Sequence, residues 1–200
     1  MQRLTIFPSS INTHYIERAV EAICDGGVII YPTDTLYAMG CDALSQKAVE
    51  RLCAAKGINP AKQMLSVICS DLSMAALYAR IDNRAFQILK RNTPGPFTFV
   101  LPAAPTLPKA FKGRKTVGIR IPDNEIARAI TEMLGHPVLS ASIASDGDEI
   151  ITPDQLELIP ALDAELLIDG GDSDNLPSTV VDLTDSSSPE IIRQGKGELL

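Results

Sequence analysis

Hydroxyls and single arginines stand where apolar runs begin or end in this 200-residue chain. Tyr31 leads into Pro32-Thr33-Asp34-Thr35. Val117-Gly118-Ile119 leads into Arg120, and Val138-Leu139 into Ser140-Ala141-Ser142. Ser178-Thr179 opens the run Val180-Val181, and Ile191-Ile192 leads into Arg193-Gln194-Gly195. In α/β sheets, ligand groups gather at strand ends. Guanidinium forks and hydroxyls suit carboxylates and phosphates. Any one Ser or Thr in such a place can equally satisfy a turn. The whole set, with two arginines that follow strands, points to an anionic ligand.

The segment KAFKGRKTVGIR adds Lys109, Lys112, Arg114 and Lys115 ahead of Arg120 without one acid, in a chain of formal charge −7. Such a run is either a solvated loop face or an electropositive rim for nucleotide phosphates or RNA. The 25 Asp and Glu against 18 Lys and Arg argue against a general basic coat for nucleic acid. With no Trp, 5 Phe and 4 Tyr, a base-stacking platform is poorly supported. No phosphate-binding G-x-x-x-x-G-K-[ST] loop, G-x-G-x-x-G turn, G-x-S-x-G elbow or H-E-x-x-H motif occurs. His14 and His136 have no ligand-spaced neighbours, which argues against a metal cage and a Ser-His-Asp triad alike.

The elements that must position these residues follow from periodicity. Ile16, Ala19, Val20 and Ile23 predict a helix capped by Asn12 or Thr13 and ended by Gly26-Gly27, with the strand Val28–Tyr31 behind it. Further helices are expected over Ser45–Lys56, from Asp71 to Tyr78, over Asn83–Arg91, and from an Asp123 cap through Leu134 to Gly135. Strands are expected over Leu65–Cys69, Phe97–Leu101, Thr116–Ile121, Val138–Ala141, Leu166–Ile168, Ser178–Leu183 and Glu190–Arg193. The reading is one α/β domain spanning residues 1–200, with about seven strands in a mixed sheet. Asp169–Leu176 reads as a surface loop within it.

The first residues lack the apolar core of a signal peptide, and no apolar run approaches the roughly 20 residues that cross a bilayer. Cys24, Cys41, Cys53 and Cys69 form no C-x-x-C pair, and Cys24 and Cys53 fall on apolar helix faces. A cytoplasmic protein with reduced thiols and no membrane partner is expected.

Seven ordered segments resemble the YrdC/YciO family, which comprises threonylcarbamoyl-AMP synthases and their paralogues. They are Gly26–Gly40 with its Pro32-Thr33-Asp34-Thr35 core, Ala55-Lys56-Gly57, Pro94–Thr98, Thr116–Pro122, Pro137–Ser142, Pro177–Asp182 and Arg193-Gln194-Gly195. The resemblance implies a twisted sheet curled around a deep, positively charged cavity. It implies ATP, L-threonine and bicarbonate as substrates, and threonylcarbamoyl-AMP and pyrophosphate as products, for modification of adenosine in tRNA. Mg2+ would arrive with the nucleotide rather than in a protein cage. Thr35, Arg120, Ser140 and Ser178 would line the threonine site. Lys56, Lys62, Thr116, Ser142 and Arg193 would serve the nucleotide, and Lys56 and Arg120 would carry catalysis by positioning and charge.

Two departures place the chain nearest the YciO branch. The synthases carry K-x-R where this chain has Lys56-Gly57-Ile58, and S-x-N where it has Ser142-Ile143-Ala144. Losing an arginine from a triphosphate site costs on the order of several kcal/mol of transition-state stabilisation. The alternative reading is therefore a non-catalytic module that binds double-stranded RNA or the ribosome through the same cavity, with tRNA or duplex RNA as partner. The sequence ends soon after Arg193-Gln194-Gly195-Lys196-Gly197, so no further C-terminal domain is expected.

Overall fold

The first helix, α1 (Thr13–Cys24), buries Ile16, Ala19 and Ile23, and the Asn12 side chain caps it by accepting from the His14 amide at 3.0 Å. The computed structural model describes residues 1–7, 10–59, 63, 65–111, 113–144, 151–174 and 176–200. α2 (Gln46–Ala55) starts at a Ser45 cap and buries Ala48, Val49, Leu52 and Cys53. It ends at Lys56, because Gly57 takes φ +63° and turns the chain back so that the Ile58 amide bonds Cys53 O at 2.8 Å. α3 (Leu72–Tyr78) and α4 (Asn83–Asn92) are capped by Asp71 and Asp82. α5 (Glu125–Leu134) is capped by Asn124, one residue beyond the expected Asp123, and stops at Gly135 with φ +78°. A short α6 (Pro153–Glu157) follows a Thr152 capping box.

The strands are β1 (Gln2–Thr5), β2 (Ile29–Tyr31), β3 (Ala38–Asp42), β4 (Ser66–Ile68), β5 (Phe97–Pro102), β6 (Thr116–Arg120), β7 (Val138–Ser142), β8 (Leu166–Asp169), β9 (Thr179–Asp182) and β10 (Glu190–Arg193). They make one ten-stranded sheet in the order β1-β8-β2-β3-β7-β4-β6-β5-β9-β10. It is mixed, as expected: β1/β8, β2/β8, β4/β6 and β5/β9 are parallel and the other pairs antiparallel. Ten strands form where about seven were expected: the eight ranges read from the sequence are all present, and β1 and β3 are added. β1 was unreadable because only Leu4 of its residues is buried, and β3 because Ala38-Met39-Gly40 looks like the tail of a turn motif.

Each face has its own cover. α2, α3, α4 and α6 pack on one through Leu52, Ala75, Leu89 and Leu156. On the other, α1 and α5 pack over Ile29, Tyr31, Ala38, Ile68, Val138 and Leu166. Cys41, Cys53 and Cys69 are buried free thiols, whereas Cys24 is exposed, contrary to its expected apolar-face position. Asp169 is also not a loop residue: it ends β8, is buried, and accepts from Arg3 Nη2 at 2.8 Å. Among the described residues no helix is long and apolar enough to cross a membrane.

Candidate functional site

One register row shows where the covered sheet face becomes a site. Leu166 pairs with Ile29, Ile29 with Gly40, Gly40 with Ser140, Ser140 with Ser66, and Ser66 with Gly118. The row begins as buried aliphatics under α1 and becomes small and polar beyond β3. The adjacent row, Val138–Ile68–Arg120, makes the same change at its last residue.

A cavity of about 250 Å³ opens on this second half. Lys56, Arg120 and Arg193 supply its charge; Ser66, Thr98, Ser140, Ser142 and Ser178 supply hydroxyls; Leu52, Ile58, Leu65 and Val180 supply an apolar wall. None of the described lining residues is a carboxylate. Gly118 is not itself in the lining but packs against two residues that are: a Cβ there would lie 3.0 Å from Ser66 Cβ and 3.2 Å from Thr98 Cγ2.

Arg120 is 3% exposed. Its Nη2 donates to Asp34 Oδ1 and to Thr35 Oγ1, both at 3.0 Å. Asp34 Oδ2 accepts from the Asp123 amide at 2.9 Å, which fixes the carboxylate from its other side. Arg120 Nε is buried with no protein partner among the described residues. An unmet buried donor costs about 1–3 kcal/mol.

Hydroxyls are held as tightly. Tyr31 donates to Ser140 Oγ at 2.8 Å, leaving the Ser140 proton for another acceptor. Burial pushes the Tyr31 phenol up to about 12, so it stays protonated and remains the donor. Its ring reaches Ser140 by crossing Gly40, where any Cβ would lie 2.6 Å from the ring. Thr98 Oγ1 and Ser178 Oγ share a bond of 2.8 Å, and Arg193 Nη2 donates to Ser178 O at 2.7 Å. Burial, and next the charge of Arg120, lower the Arg193 pKa; burial lowers that of Lys56. The Lys56 shift is desolvation alone, whereas Arg193 also feels the repulsion of Arg120, whose own carboxylate partner is Asp34.

The structure brings Lys56, Arg120, Ser140, Ser142, Ser178 and Arg193 to one cavity, as the sequence suggested. Three other expectations change. Thr35 does not line the cavity; its hydroxyl, 1% exposed, bonds Arg120 and Thr33 and so orients the guanidinium from behind. Thr116 starts β6 while Arg120 ends it, and Thr116 is not in the lining. Lys109, Arg114 and Lys115 also stay out of the lining, and Lys112 lies outside the described residues. Lys62 lies outside the described residues. Ile58 stands in the wall near Lys56, whereas Ala144 is exposed and outside it. Ser66, Thr98, Tyr31 and Asp34 were missed as contributors. Asp34 was visible as an acid beside Thr35, but Ser66 and Thr98 needed the register. A larger cleft of 530 Å³ between α1, α2 and β8 sets Arg18, Lys47 and Arg51 against Glu21, Asp25 and Glu165, so it has no net preference for anions. No group of metal-ligating side chains comes together among the described residues.

Fold and cavity thus define an α/β protein with a cation- and hydroxyl-lined cavity on a mixed sheet. Comparison with known proteins narrows this. The profile of the Sua5/YciO/YrdC family, described as "Telomere recombination", matches residues 21–195. YciO of Escherichia coli (strain K12) is 39% identical over 198 residues, 97% of this chain and 95% of that one. The crystal structure of E. coli YciO superposes with a TM-score of 0.89, covering 98% of this chain and 97% of that one. Threonylcarbamoyl-AMP synthase of Pyrococcus abyssi (strain GE5 / Orsay) is 33% identical over 186 residues, 90% of this chain but 54% of that protein. P. abyssi Sua5 complexed with L-threonine superposes with a TM-score of 0.86 at 30% identity, covering 98% of this chain and 58% of that one. The chain belongs to the Sua5/YciO/YrdC family, with YciO the nearer relative and the synthases more distant.

Proposed function

We propose that the cavity binds L-threonine and a nucleoside triphosphate, and that the chain forms threonylcarbamoyl-AMP from ATP, L-threonine and bicarbonate. The observation that carries this reading is Arg120: a buried guanidinium, oriented by Asp34 and Thr35, with an unmet Nε donor beside serine hydroxyls. The P. abyssi complex with L-threonine supports the amino acid.

In this reading the threonine carboxylate takes Arg120, and Ser140 and Ser178 bond its polar groups. Bicarbonate and the amine give a carbamate with loss of water. A carbamate oxygen attacks the α-phosphorus, the bond from that phosphorus to the bridging oxygen breaks, and pyrophosphate leaves. Lys56 and Arg193 offset the charge that grows on the phosphates, so catalysis is positioning plus electrostatics. Magnesium enters with the nucleotide, since the cavity wall offers it no carboxylate. With Ile58 in the wall, Lys56 is the cation at its α2 end among the described residues, which predicts a slow reaction.

The test is pyrophosphate release from ATP with threonine and bicarbonate, with the adduct identified by mass. Release that needs all three substrates supports the reading; none, together with no calorimetric binding of ATP, ends it. The RNA-binding alternative is separated by duplex-RNA affinity against salt concentration.

A further inference from the structure

We infer that Lys196 is a positioning residue for the carboxylate end of the cavity, acting through Asp34 on Arg120. This rests on the reading of the cavity as an amino-acid site. The Lys196 ammonium donates to the Asp34 backbone carbonyl at 2.8 Å and pairs with Asp174 Oδ2 at 2.9 Å. Asp34 is the residue whose carboxylate holds Arg120 and the Asp123 amide. One ammonium therefore ties the tail to the β2–β3 connection and to the connection between β8 and β9.

An exposed ion pair by itself contributes little, because two long side chains must be ordered to make it. Here the lysine starts from an ordered backbone. The Lys196 amide bonds Pro177 O at 2.9 Å, the Gly195 amide bonds Thr179 Oγ1 at 3.0 Å, and Thr179 Oγ1 donates to Gly197 O at 2.6 Å. The flanking glycines permit this close contact. A Cβ on Gly195 would lie 2.2 Å from Pro177 O, and one on Gly197 would lie 2.5 Å from the Phe97 ring. The tail is laid flush against the segment that carries Ser178, and Lys196 reaches from it to Asp34. Tail, Ser178 and Arg120 thereby keep a fixed spacing. A ligand that bridges Arg120 and Ser178 finds both ends already placed, which is how preorganisation raises affinity.

The inference is tested on the full chain with Lys196→Met, Lys196→Arg and Asp174→Asn, by amide hydrogen exchange at Thr35 and Asp123 and by calorimetry with L-threonine and with ATP. Lys196→Met is expected to lower protection at Thr35 and Asp123 about tenfold and to weaken threonine about five- to tenfold, while ATP affinity and melting temperature hold. Lys196→Arg is expected to restore both, and Asp174→Asn to give a smaller loss. Unchanged exchange in Lys196→Met overturns the inference. So does a loss of melting temperature and of ATP binding that Lys196→Arg fails to restore, for that marks a purely structural tie. If the wild-type chain binds no threonine but exchange responds as expected, the amino-acid reading fails and the tie to Asp34 stands.

Discussion

The row from Leu166 to Gly118 divides one sheet face into two regions with opposite chemistry. On the β8–β2–β3 side, Leu166, Ile29 and Tyr31 lie sealed beneath α1 and α5. On the β7–β4–β6 side, Ser140, Ser66 and Gly118 continue the same row, and the face opens into the cavity. Side-chain size and polarity change at Gly40, and Tyr31 spans the change with its ring in the apolar half and its hydroxyl on Ser140. Covering the first half removes apolar area from water. In the second half the buried polar groups Arg120, Ser140, Ser178 and Thr98 are held by hydrogen bonds among themselves and to Asp34, Thr35, Tyr31 and Arg193. The candidate site is the half of the face where buried polar side chains replace aliphatic ones.

The largest effect should come from disabling the open half. Arg120→Met removes the carboxylate fork and leaves Asp34 buried without its cation, so stability should fall by about 3–5 kcal/mol. Threonine binding should drop below detection in calorimetry on whatever fraction remains folded.

Disturbing the boundary should cost less. Gly40→Val would drive a side chain into the Tyr31 ring and the Val138 methyl, with a Cβ 2.6 Å from one and 2.8 Å from the other. Such overpacking costs about 1–3 kcal/mol, measured by urea unfolding. Gly118→Ala tests the open half alone. Its methyl group meets Ser66 and Thr98 at 3.0 and 3.2 Å and so presses on two side chains that line the cavity. Ligand affinity should fall about tenfold, and stability should change by about 1 kcal/mol or less.

The smallest effect is a pH dependence. Burial holds the folded Lys56 pKa below the ordinary lysine value. Between the lowered and the ordinary value the unfolded chain binds the extra proton, so stability from this group rises with pH across that window. An anion beside Lys56 favours the protonated form and is bound with proton uptake. ATP affinity should therefore weaken as pH rises through the lowered value, by about tenfold per pH unit at most. Calorimetry in buffers of different ionisation heat reads that uptake directly, and Lys56→Met should abolish it.

Both halves left different traces in the sequence. Helices were legible because Ile16, Ala19, Ile23 and their counterparts repeat at helical spacing and because Asn12, Ser45 and Asp71 cap them. Of the six cavity residues named from the sequence, Arg120, Ser140, Ser142, Ser178 and Arg193 stood out as a set of hydroxyls and arginines at apolar strand ends, whereas Lys56, at the end of α2, came from the family resemblance. Thr116 misled for the same reason: it has the right type at the wrong end of its strand. Ser66 and Thr98 carried no signal, because a polar residue in a short strand reads as its solvent face until the pairing partners are known. Asp34 and Lys196 act through other residues, by contacts 86 and 162 positions apart in sequence, and local pattern does not encode such distances.

The central claim is that the unmet Arg120 donor receives an amino-acid carboxylate. A crystal structure of the chain soaked with L-threonine tests it most directly. The account predicts a threonine carboxylate within hydrogen-bonding distance of Arg120 Nε, with Ser140 or Ser178 on its polar groups. Threonine seated instead in the cleft lined by Arg18 and Arg51, or a cavity that stays free of threonine at saturating concentration, would contradict it.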